Sequence, residues 1–280
     1  MRTDRRQGWL LLLPSVLLLL ALFYLPQLLM FLVSLGRRSA YGGVVRDVSP
    51  ANYLRAFDPL YLNVLWRSLL LAAATTALCL AIAYPVAWWL ARRVPARWRN
   101  ALLTLVILPF WTSFLVRMYA WIVLLRSEGV INLALGAVGL PAADLLYNDF
   151  AVLLGQVYGE LPFMIIPLYV SLEKLDHTLL EAAADLGADF WQAFRRVVVP
   201  QTMPGIVAGC VLVFIPSLGA YLAPDLLGGG KTAYIGNLIQ SQFAVARDMP
   251  FGAALSFVVS LVVLLLLLVL RRPLQSAQSL

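Results

Sequence analysis

Six long apolar stretches limit this chain more than any other feature of its sequence. The last is the clearest, because residues 261–270 are all leucine or valine. A helix needs about 20 apolar residues to cross a bilayer, whereas the strands of a membrane barrel are shorter and alternate in polarity. We therefore predict an all-α integral membrane protein. It has one membrane domain over residues 1–280 and six transmembrane helices, at about 9–35, 68–90, 101–125, 150–172, 205–222 and 251–270.

The composition excludes an ordinary soluble domain. Hydrophobic residues make up 62% of the chain and charged residues 12%, whereas soluble domains are about half apolar and about a quarter charged. The net charge of +7 lies in short runs between the apolar stretches, which indicates membrane topology rather than nucleic-acid binding. Cys79 and Cys210 lie within apolar stretches, so we expect both to pack rather than to form a disulfide or a metal site.

The basic residues predict the orientation. Arg2, Arg5 and Arg6 precede the first apolar stretch, which is too long for a signal peptide and is interpreted as a retained span. Lysine and arginine are more frequent in the loops on the side of the N-terminus, most clearly in the short turn ARRVPARWRN at 91–100. The positive-inside rule then places both termini in the cytoplasm.

The connection at 173–204 is long, and its composition is not that of a disordered loop. Thr178-x-x-Glu181 and Asp189-x-x-Gln192 have the spacing of capping boxes, each of which starts a helix. Gly187 lies between them and suits a left-handed helix end. The pattern predicts a helix–glycine–helix hairpin, and the orientation places it in the cytoplasm.

The second helix of this hairpin is expected to stop at Pro200 and Pro204, before the fifth span. Small and aromatic side chains suit an interface because they permit close approach and supply apolar anchors. Those in the hairpin are Ala182, Ala183, Ala184, Phe190, Trp191 and Phe194. From the residues alone, the hairpin either docks a partner or packs along the membrane surface.

The same segment resembles a known family signature. Glu181-Ala182-Ala183, three residues, Gly187, nine residues and then Val197-x-Val199-Pro200 is similar to the EAA motif of type I ABC importer permeases, EAA-x3-G-x9-I-x-L-P. Valine stands here at the isoleucine and leucine positions. In that family the segment forms the coupling helices that seat on the ATPase subunit. The resemblance implies such a joint at Glu181, Ala182, Ala183, Gly187, Ala188 and Phe190.

Four further segments resemble the inner-membrane permeases of spermidine/putrescine importers, in the branch of the first of two permeases. They are 52–69, 108–121, 161–176 and 225–243. Related branches that import iron(III) or opines share parts of these patterns, so another small solute is the alternative cargo. An ion-coupled secondary transporter is a more distant alternative, and it leaves the hairpin unexplained.

The resemblance also implies the surroundings of the chain. It implies a multi-pass protein of the bacterial cytoplasmic (inner) membrane, in contact with membrane lipid. The expected partners are a second homologous permease, two ATPase subunits and an extracytoplasmic binding protein, without nucleic acid. The chain itself is expected to be no enzyme and to bind no cofactor, because ATP and Mg belong to the ATPase subunits.

Charged residues within a span are costly and are functional candidates. Glu160 and Arg117 are predicted at similar depths of about 15 and 12 Å from the outer ends of their spans. They either form an ion pair, or Glu160 faces a watery path and meets a cationic amine. Aromatic faces suit protonated amines through cation–π contact. The further candidates for the path are Trp111, Tyr119, Tyr158, Tyr221 and Asp225.

Two other features are not expected to carry chemistry. The run Gly228–Thr232 ends in Gly-Lys-Thr, but Asp225 stands where a phosphate-binding loop needs its first glycine. We interpret this run as a flexible outer loop that touches a binding protein. His177 is the only histidine, and neither a catalytic set nor a metal site is predicted.

Overall fold

The computed structural model describes residues 4–39, 43–45 and 47–277. Helices dominate these residues, and the only β-structure described is a short antiparallel pair of β1 (Arg37–Arg38) and β2 (Val44–Val45). The α-helices are α1 (Asp4–Leu19), α2 (Leu25–Ser34), α3 (Ala51–Ala56), α4 (Pro59–Arg92), α5 (Ala96–Ile107), α6 (Phe114–Leu125), α7 (Val130–Ala137), α8 (Asp149–Glu173), α9 (His177–Asp185), α10 (Phe190–Ala193), α11 (Val199–Gly219), α12 (Leu222–Gly228), α13 (Ile235–Ala244) and α14 (Met249–Ala277).

Six candidate membrane spans lie within the described residues, which confirms the predicted all-α membrane fold. They are Leu12–Ser34, Pro59–Arg92, Phe114–Ala137, Asp149–Glu173, Phe190–Gly219 and Met249–Leu268. A helix satisfies its own backbone hydrogen bonds, so long apolar stretches that leave water fold in this way.

The third span differs from its prediction at 101–125. A 3₁₀ turn at Leu108–Trp111 follows α5, and Thr112 is extended, so the helix is broken before α6 starts. The candidate span starts at Phe114 and runs to Ala137. The continuous span predicted at 101–125 is therefore wrong, because Pro109 lies within it and a proline can interrupt a helix that apolar length alone favours.

The chain divides into two compact units. The first consists of residues up to Asn63 together with Leu238–Val262. Within it, Arg55 forms an ion pair with buried Asp248 at 2.9 Å, and its guanidinium lies 3.9 Å from the centroid of the Phe251 ring. The second unit consists of Val64–Asn237 and the residues from Val263 on, and it contains every predicted site residue.

The core of the second unit lies where α4, α8 and α11 meet. Cys79 and Leu90 of α4 are buried there with Met164 and Leu172 of α8 and Val213 of α11. Cys79 donates to the Val157 carbonyl oxygen at 3.6 Å and, like Cys210, is a free thiol. The packing role predicted for Cys79 is confirmed.

Helix α11 packs against α8 through two glycines one turn apart, Gly205 and Gly209. A Cβ atom at Gly205 would lie 2.5 Å from Cβ of Ser171 and 2.7 Å from the Pro167 carbonyl oxygen. A Cβ atom at Gly209 would lie 2.6 Å from Sδ of Met164. Small residues at this spacing let membrane helices approach closely, where packing replaces the hydrophobic effect as the driving force.

A Gly205→Val variant is expected to separate α8 from α11 and to lower the thermal stability of the purified protein by several degrees. Overpacking of this kind costs about 1–3 kcal/mol. Gly219→Val is the matched control on the same helix, because a Cβ atom there has nothing within 4 Å. Equal melting temperatures for the two variants would contradict the close approach.

Candidate coupling segment and transport path

The connection at 173–204, named the coupling segment, begins with a capped helix. The Asp176 carboxylate accepts a hydrogen bond from the Thr178 backbone N–H at 3.0 Å, and α9 starts at His177. The predicted capping box at Thr178-x-x-Glu181 is therefore wrong by two residues. Both positions carry good capping side chains, and the aspartate that comes first takes the role.

The end of α9 follows the prediction. Gly187 has a φ of +77°. Its N–H donates to the Ala184 carbonyl oxygen at 2.9 Å, and the Ala188 N–H donates to the Ala183 carbonyl oxygen at 3.0 Å. This pair of bonds is the Schellman motif, in which a left-handed residue satisfies the last carbonyl groups of a helix. The interpretation of Gly187 as a left-handed helix end is confirmed.

The second half of the segment starts as predicted and ends differently. The Asp189 carboxylate accepts from the Gln192 N–H at 2.7 Å, so the predicted cap at Asp189 is confirmed. However, Pro200 and Pro204 do not stop the helix, since the candidate span runs without a break from Phe190 to Gly219. The predicted hairpin of two short helices is instead one short helix followed by the first turns of the fifth span.

A π-turn explains why Pro200 is tolerated. It covers Phe194–Val198, and the Val199 N–H donates to the Phe194 carbonyl oxygen, five residues earlier. Proline in a regular helix loses one hydrogen bond and clashes with the preceding turn. A π-turn changes the hydrogen-bond register at that point and is a known means of fitting irregular residues into a helix.

The segment presents an exposed and partly apolar face. Leu186 is 88% exposed, Phe190 72% and Trp191 70%. The predicted joint residues Glu181, Ala182, Gly187 and Phe190 are exposed, Ala188 is half-buried, and Ala183 is buried against the rest of the protein. Large apolar side chains on a capped, ordered segment are typical of a protein interface.

Phe194 attaches this segment to α4. Its ring packs edge-on against Tyr84 at 5.4 Å and Trp88 at 6.4 Å. It also stacks with Phe190 at 6.3 Å and packs against Trp191 at 5.5 Å. The exposed aromatic residues are thus linked through one ring to a spanning helix.

Two arginines attach the start of the segment, Arg92 from the end of α4 and Arg99 from the first turn of α5. Arg99 forms an ion pair with Glu173 at 3.0 Å, and Glu173 also accepts from the Tyr169 hydroxyl at 2.6 Å. Arg92 donates to the Leu175 carbonyl oxygen at 3.2 Å. The basic turn at 91–100 and the coupling segment therefore lie at the same end of the second unit, which agrees with the predicted topology of the loops.

In the described part of the chain, Arg117 and Glu160 do not form the ion pair that was one of the two interpretations of these residues. Arg117 is 8% exposed. Within the residues that the structure describes, no contact of 4.0 Å or less pairs the two groups. Oε2 of Glu160 and Nε of Arg117 are both buried without a hydrogen-bond partner.

Aromatic rings surround the Arg117 guanidinium instead. Its Cζ lies 5.1 Å from the centroid of Phe110, 5.3 Å from Phe114 and 5.9 Å from Tyr158. Phe110 and Phe114 were not predicted as partners, because they belong to the broken third span, where helical spacing does not apply.

The other residues predicted for the transport path form no ring or cation–π contact with Arg117 or Tyr158 in the described part of the chain. Trp111 is 87% exposed, Tyr119 53% and Tyr221 43%. Asp225 is also exposed, in the first turn of α12. Among the described residues, no ring contact joins Trp111, Tyr119 or Tyr221 to Tyr158. Of the four aromatic candidates, only Tyr158 therefore lies against the Arg117 guanidinium.

The region predicted as outer loops contains buried structure that the sequence did not indicate. The Tyr234 hydroxyl donates to Asp149 at 2.8 Å, and the Ile235 N–H donates to the Ser68 hydroxyl at 2.7 Å. Burial, together with the hydrogen bond to Asp149, raises the pKa of Tyr234 well above its usual range. In the loop predicted at 228–232, Gly228 is the last residue of α12 and residues 229–232 form a turn, in which Gly229 and Gly230 have positive φ angles.

The comparison with protein families decides the classification. Residues 83–272 match the model of the binding-protein-dependent transport system inner membrane component. The chain belongs to this family. The matched region contains the whole coupling segment, Arg117 and Glu160, and the protein is a multi-pass protein of the inner membrane.

Curated relatives of this family cover most of the chain. The spermidine/putrescine transport system permease protein PotB of Haemophilus influenzae is 44% identical over 250 residues, which are 89% of this chain and 87% of that protein. PotB of Escherichia coli K12 is 45% identical over 249 residues, 88% of this chain and 90% of that protein. The inner membrane ABC transporter permease protein YdcU of the same organism is 35% identical over 82% of this chain and 77% of its own length.

Solved structures share the fold. A chain of a bacterial ABC transporter that imports the acidic polysaccharide alginate matches with a TM-score of 0.72 at 19% identity, and covers 99% of this chain and 98% of that chain. A second structure, of an alginate ABC transporter in complex with a pentasaccharide-bound periplasmic protein, gives a TM-score of 0.72 at 20% identity over 96% and 94% of the two chains.

Proposed function

We propose that this chain is a permease subunit of an ATP-driven importer of polyamines such as spermidine and putrescine. The observation that carries the proposal is the 44–45% identity to permeases named for these two solutes, over almost the full length of both chains. Identity at this level extends through the spans as well as the coupling segment, and the spans are where a cargo passes.

The assembly that we propose contains this chain, a second homologous permease, two ATPase subunits and an external binding protein. The exposed face of the coupling segment, with Glu181, Ala182, Gly187 and Phe190, seats on an ATPase subunit in the cytoplasm. Both termini are then cytoplasmic. Nucleotide and Mg bind to the ATPase subunits, and this chain binds neither.

The structure suggests how movement would pass from that joint to the spans. The segment is fixed to α4 by Phe194 and to the first turn of α5 through the pairing of Arg99 with Glu173. A continuous helix joins it to the fifth span. A displacement of the segment is therefore carried by three spanning helices together, since α4, α8 and α11 share one packed core. The proposed role of this chain is to convert closure of the ATPase dimer into a change of access.

For the cargo path, we propose Glu160 and Tyr158 as lining residues, because Oε2 of Glu160 is buried without a partner and the Tyr158 ring lies against Arg117. Trp111, Tyr119, Tyr221 and Asp225 are exposed on this chain. They are proposed to face the path where the second permease closes it.

The proposal is tested by the ATPase activity of the purified assembly in lipid nanodiscs, measured with its binding protein and a panel of solutes. We expect spermidine or putrescine to raise the ATPase rate several-fold, whereas acidic sugars, iron(III) and opines leave it unchanged. Stimulation by one of those other solutes and not by polyamines would refute polyamines as the cargo, but it would still support an ATP-driven importer. An assembly that purifies without ATPase subunits would overturn both.

A further inference from the structure

The Arg117 guanidinium occupies a pocket built from aromatic faces. Phe110, Phe114 and Tyr158 place their ring centroids 5.1, 5.3 and 5.9 Å from its Cζ atom. A cation within about 6 Å of a ring centroid is attracted to the negative face of the ring, more strongly where water is excluded. Arg117 is 8% exposed, so these contacts are largely dry.

The rings are held by contacts of their own. Phe110 packs edge-on against Phe163 at 4.7 Å, and Tyr158 packs edge-on against Trp121 at 5.6 Å. Phe114 lies so close to α8 that a Cβ atom at Gly159 would be 2.8 Å from its ring. The pocket is therefore preorganised by neighbouring residues and does not depend on Arg117 alone for its shape.

Next to the pocket along α8 is a hydrogen-bond acceptor that no described residue uses. Glu160 follows Gly159, the residue against which the Phe114 ring packs, and its Oε2 atom is buried without a partner. Within the described residues, Glu160 forms no ion pair with Arg117. Burial of an unpaired carboxylate oxygen is costly, so the site favours a ligand that donates a hydrogen bond.

The pocket lies at the break of the third span. The 3₁₀ turn at Leu108–Trp111 carries Phe110, the extended Thr112 follows, and α6 begins with Phe114 and Arg117 in its first turn. Interrupted helices line binding sites in membrane transporters, because irregular backbone at membrane depth is tolerated only where it meets protein or a watery cavity.

We propose that Phe110, Phe114, Tyr158 and Glu160 form a subsite for one protonated amine of the cargo, and that Arg117 is a tethered cation that occupies it until an amine displaces it. The inference rests on the proposed function, because it assumes a cargo with protonated amines. An ammonium group uses the same ring faces as a guanidinium, and a free amine, unlike the tethered guanidinium, can move to place an N–H donor against Oε2 of Glu160.

The test removes the tethered cation and asks whether a free amine takes its place. The purified assembly carrying Arg117→Ala is prepared in nanodiscs without binding protein and without ATP, and its thermal unfolding is followed with added spermidine or methylammonium chloride. Ligands that bind only the folded state raise its melting temperature. We expect Arg117→Ala to melt several degrees below wild type, and either amine to restore at least half of that loss. Sodium chloride at equal ionic strength restores none of it, and wild type shifts little with any of the three.

Three further variants separate an amine subsite from a merely structural arginine. Arg117→Lys keeps a tethered cation in the pocket and is expected to suppress the amine effect. Glu160→Gln and Tyr158→Leu, each added to Arg117→Ala, are expected to reduce it at least tenfold in apparent affinity. If Arg117→Ala does not assemble, Arg117→Val, which is uncharged and too short to fill the pocket, serves in the same comparison.

Equal amine shifts in wild type and the variant, or no amine shift in the variant, would overturn the subsite. Because this measurement needs neither uptake nor hydrolysis, its result is independent of the cargo test above. An assembly that binds amines at Arg117→Ala but is not stimulated by polyamines would keep the subsite and refute the proposed cargo.

Discussion

Substitution of Gly187 by valine is expected to abolish coupled transport while the permease still assembles. Gly187 has a φ of +77°, and its N–H and that of Ala188 close the end of α9. A left-handed conformation costs an L-residue about 1–2 kcal/mol, and more for a β-branched side chain. The helix end then opens, and Glu181 and Phe190 no longer present one face. Uptake in proteoliposomes should fall by at least about tenfold, as expected for a loss of about 1.4 kcal/mol at the joint.

Gly187→Asn is the control, because asparagine tolerates the left-handed region. Space is not limiting at this position, since a Cβ atom there would have nothing within 4 Å. Asparagine should therefore retain most of the uptake. Equal losses for valine and asparagine would show that the backbone conformation is not what matters, and would contradict the role given to Gly187.

Replacement of Phe194 by alanine is expected to uncouple ATP hydrolysis from transport. Phe194 holds the exposed segment to Tyr84 and Trp88 of α4, and each aromatic pair contributes about 0.5–1.5 kcal/mol beyond simple burial. Without the ring, the segment still meets an ATPase subunit but transmits its movement poorly. The number of solutes transported per ATP hydrolysed should fall about tenfold, whereas ATPase activity without solute is retained.

Two variants control this experiment. Phe194→Tyr keeps the ring and should couple nearly as well as wild type. Phe150→Ala removes a ring that is 55% exposed, at the start of α8, and should leave the ratio unchanged. A Phe194→Ala variant with an unchanged transport-to-hydrolysis ratio would show that the segment acts without its link to α4.

Local chemistry explains which parts of the coupling segment were predictable. Gly187 and Asp189 were assigned correctly, because a left-handed helix end and an N-cap depend on residues next to each other in the chain. Asp176 was missed because two capping candidates lie two residues apart, and sequence does not rank them. The failure at Pro200 has a different cause, since the π-turn at Phe194–Val198 that precedes it has no sequence motif by which it could be predicted.

The spanning helices also include features that the sequence predicted and features that it did not. Six spans follow from apolar length alone, because no other structure satisfies the backbone of such stretches in lipid. The break between Ile107 and Phe114 was missed because apolar length was given more weight than Pro109, a residue that can interrupt a helix. The residues around Arg117 were missed for the same reason, because Phe110 and Phe114 lie at this break. The sequence offered Glu160 by depth, whereas the structure surrounds the guanidinium with rings from the interrupted segment.

The measurement that tests the central claim most directly is uptake of labelled spermidine into proteoliposomes that contain the complete assembly and its binding protein. We predict uptake that requires ATP on the side of the coupling segment, stops when the ATPase subunits are inactivated, and continues when ionophores collapse the ion gradients. Uptake that proceeds without ATPase subunits and disappears with an ion gradient would contradict the account and indicate a secondary transporter.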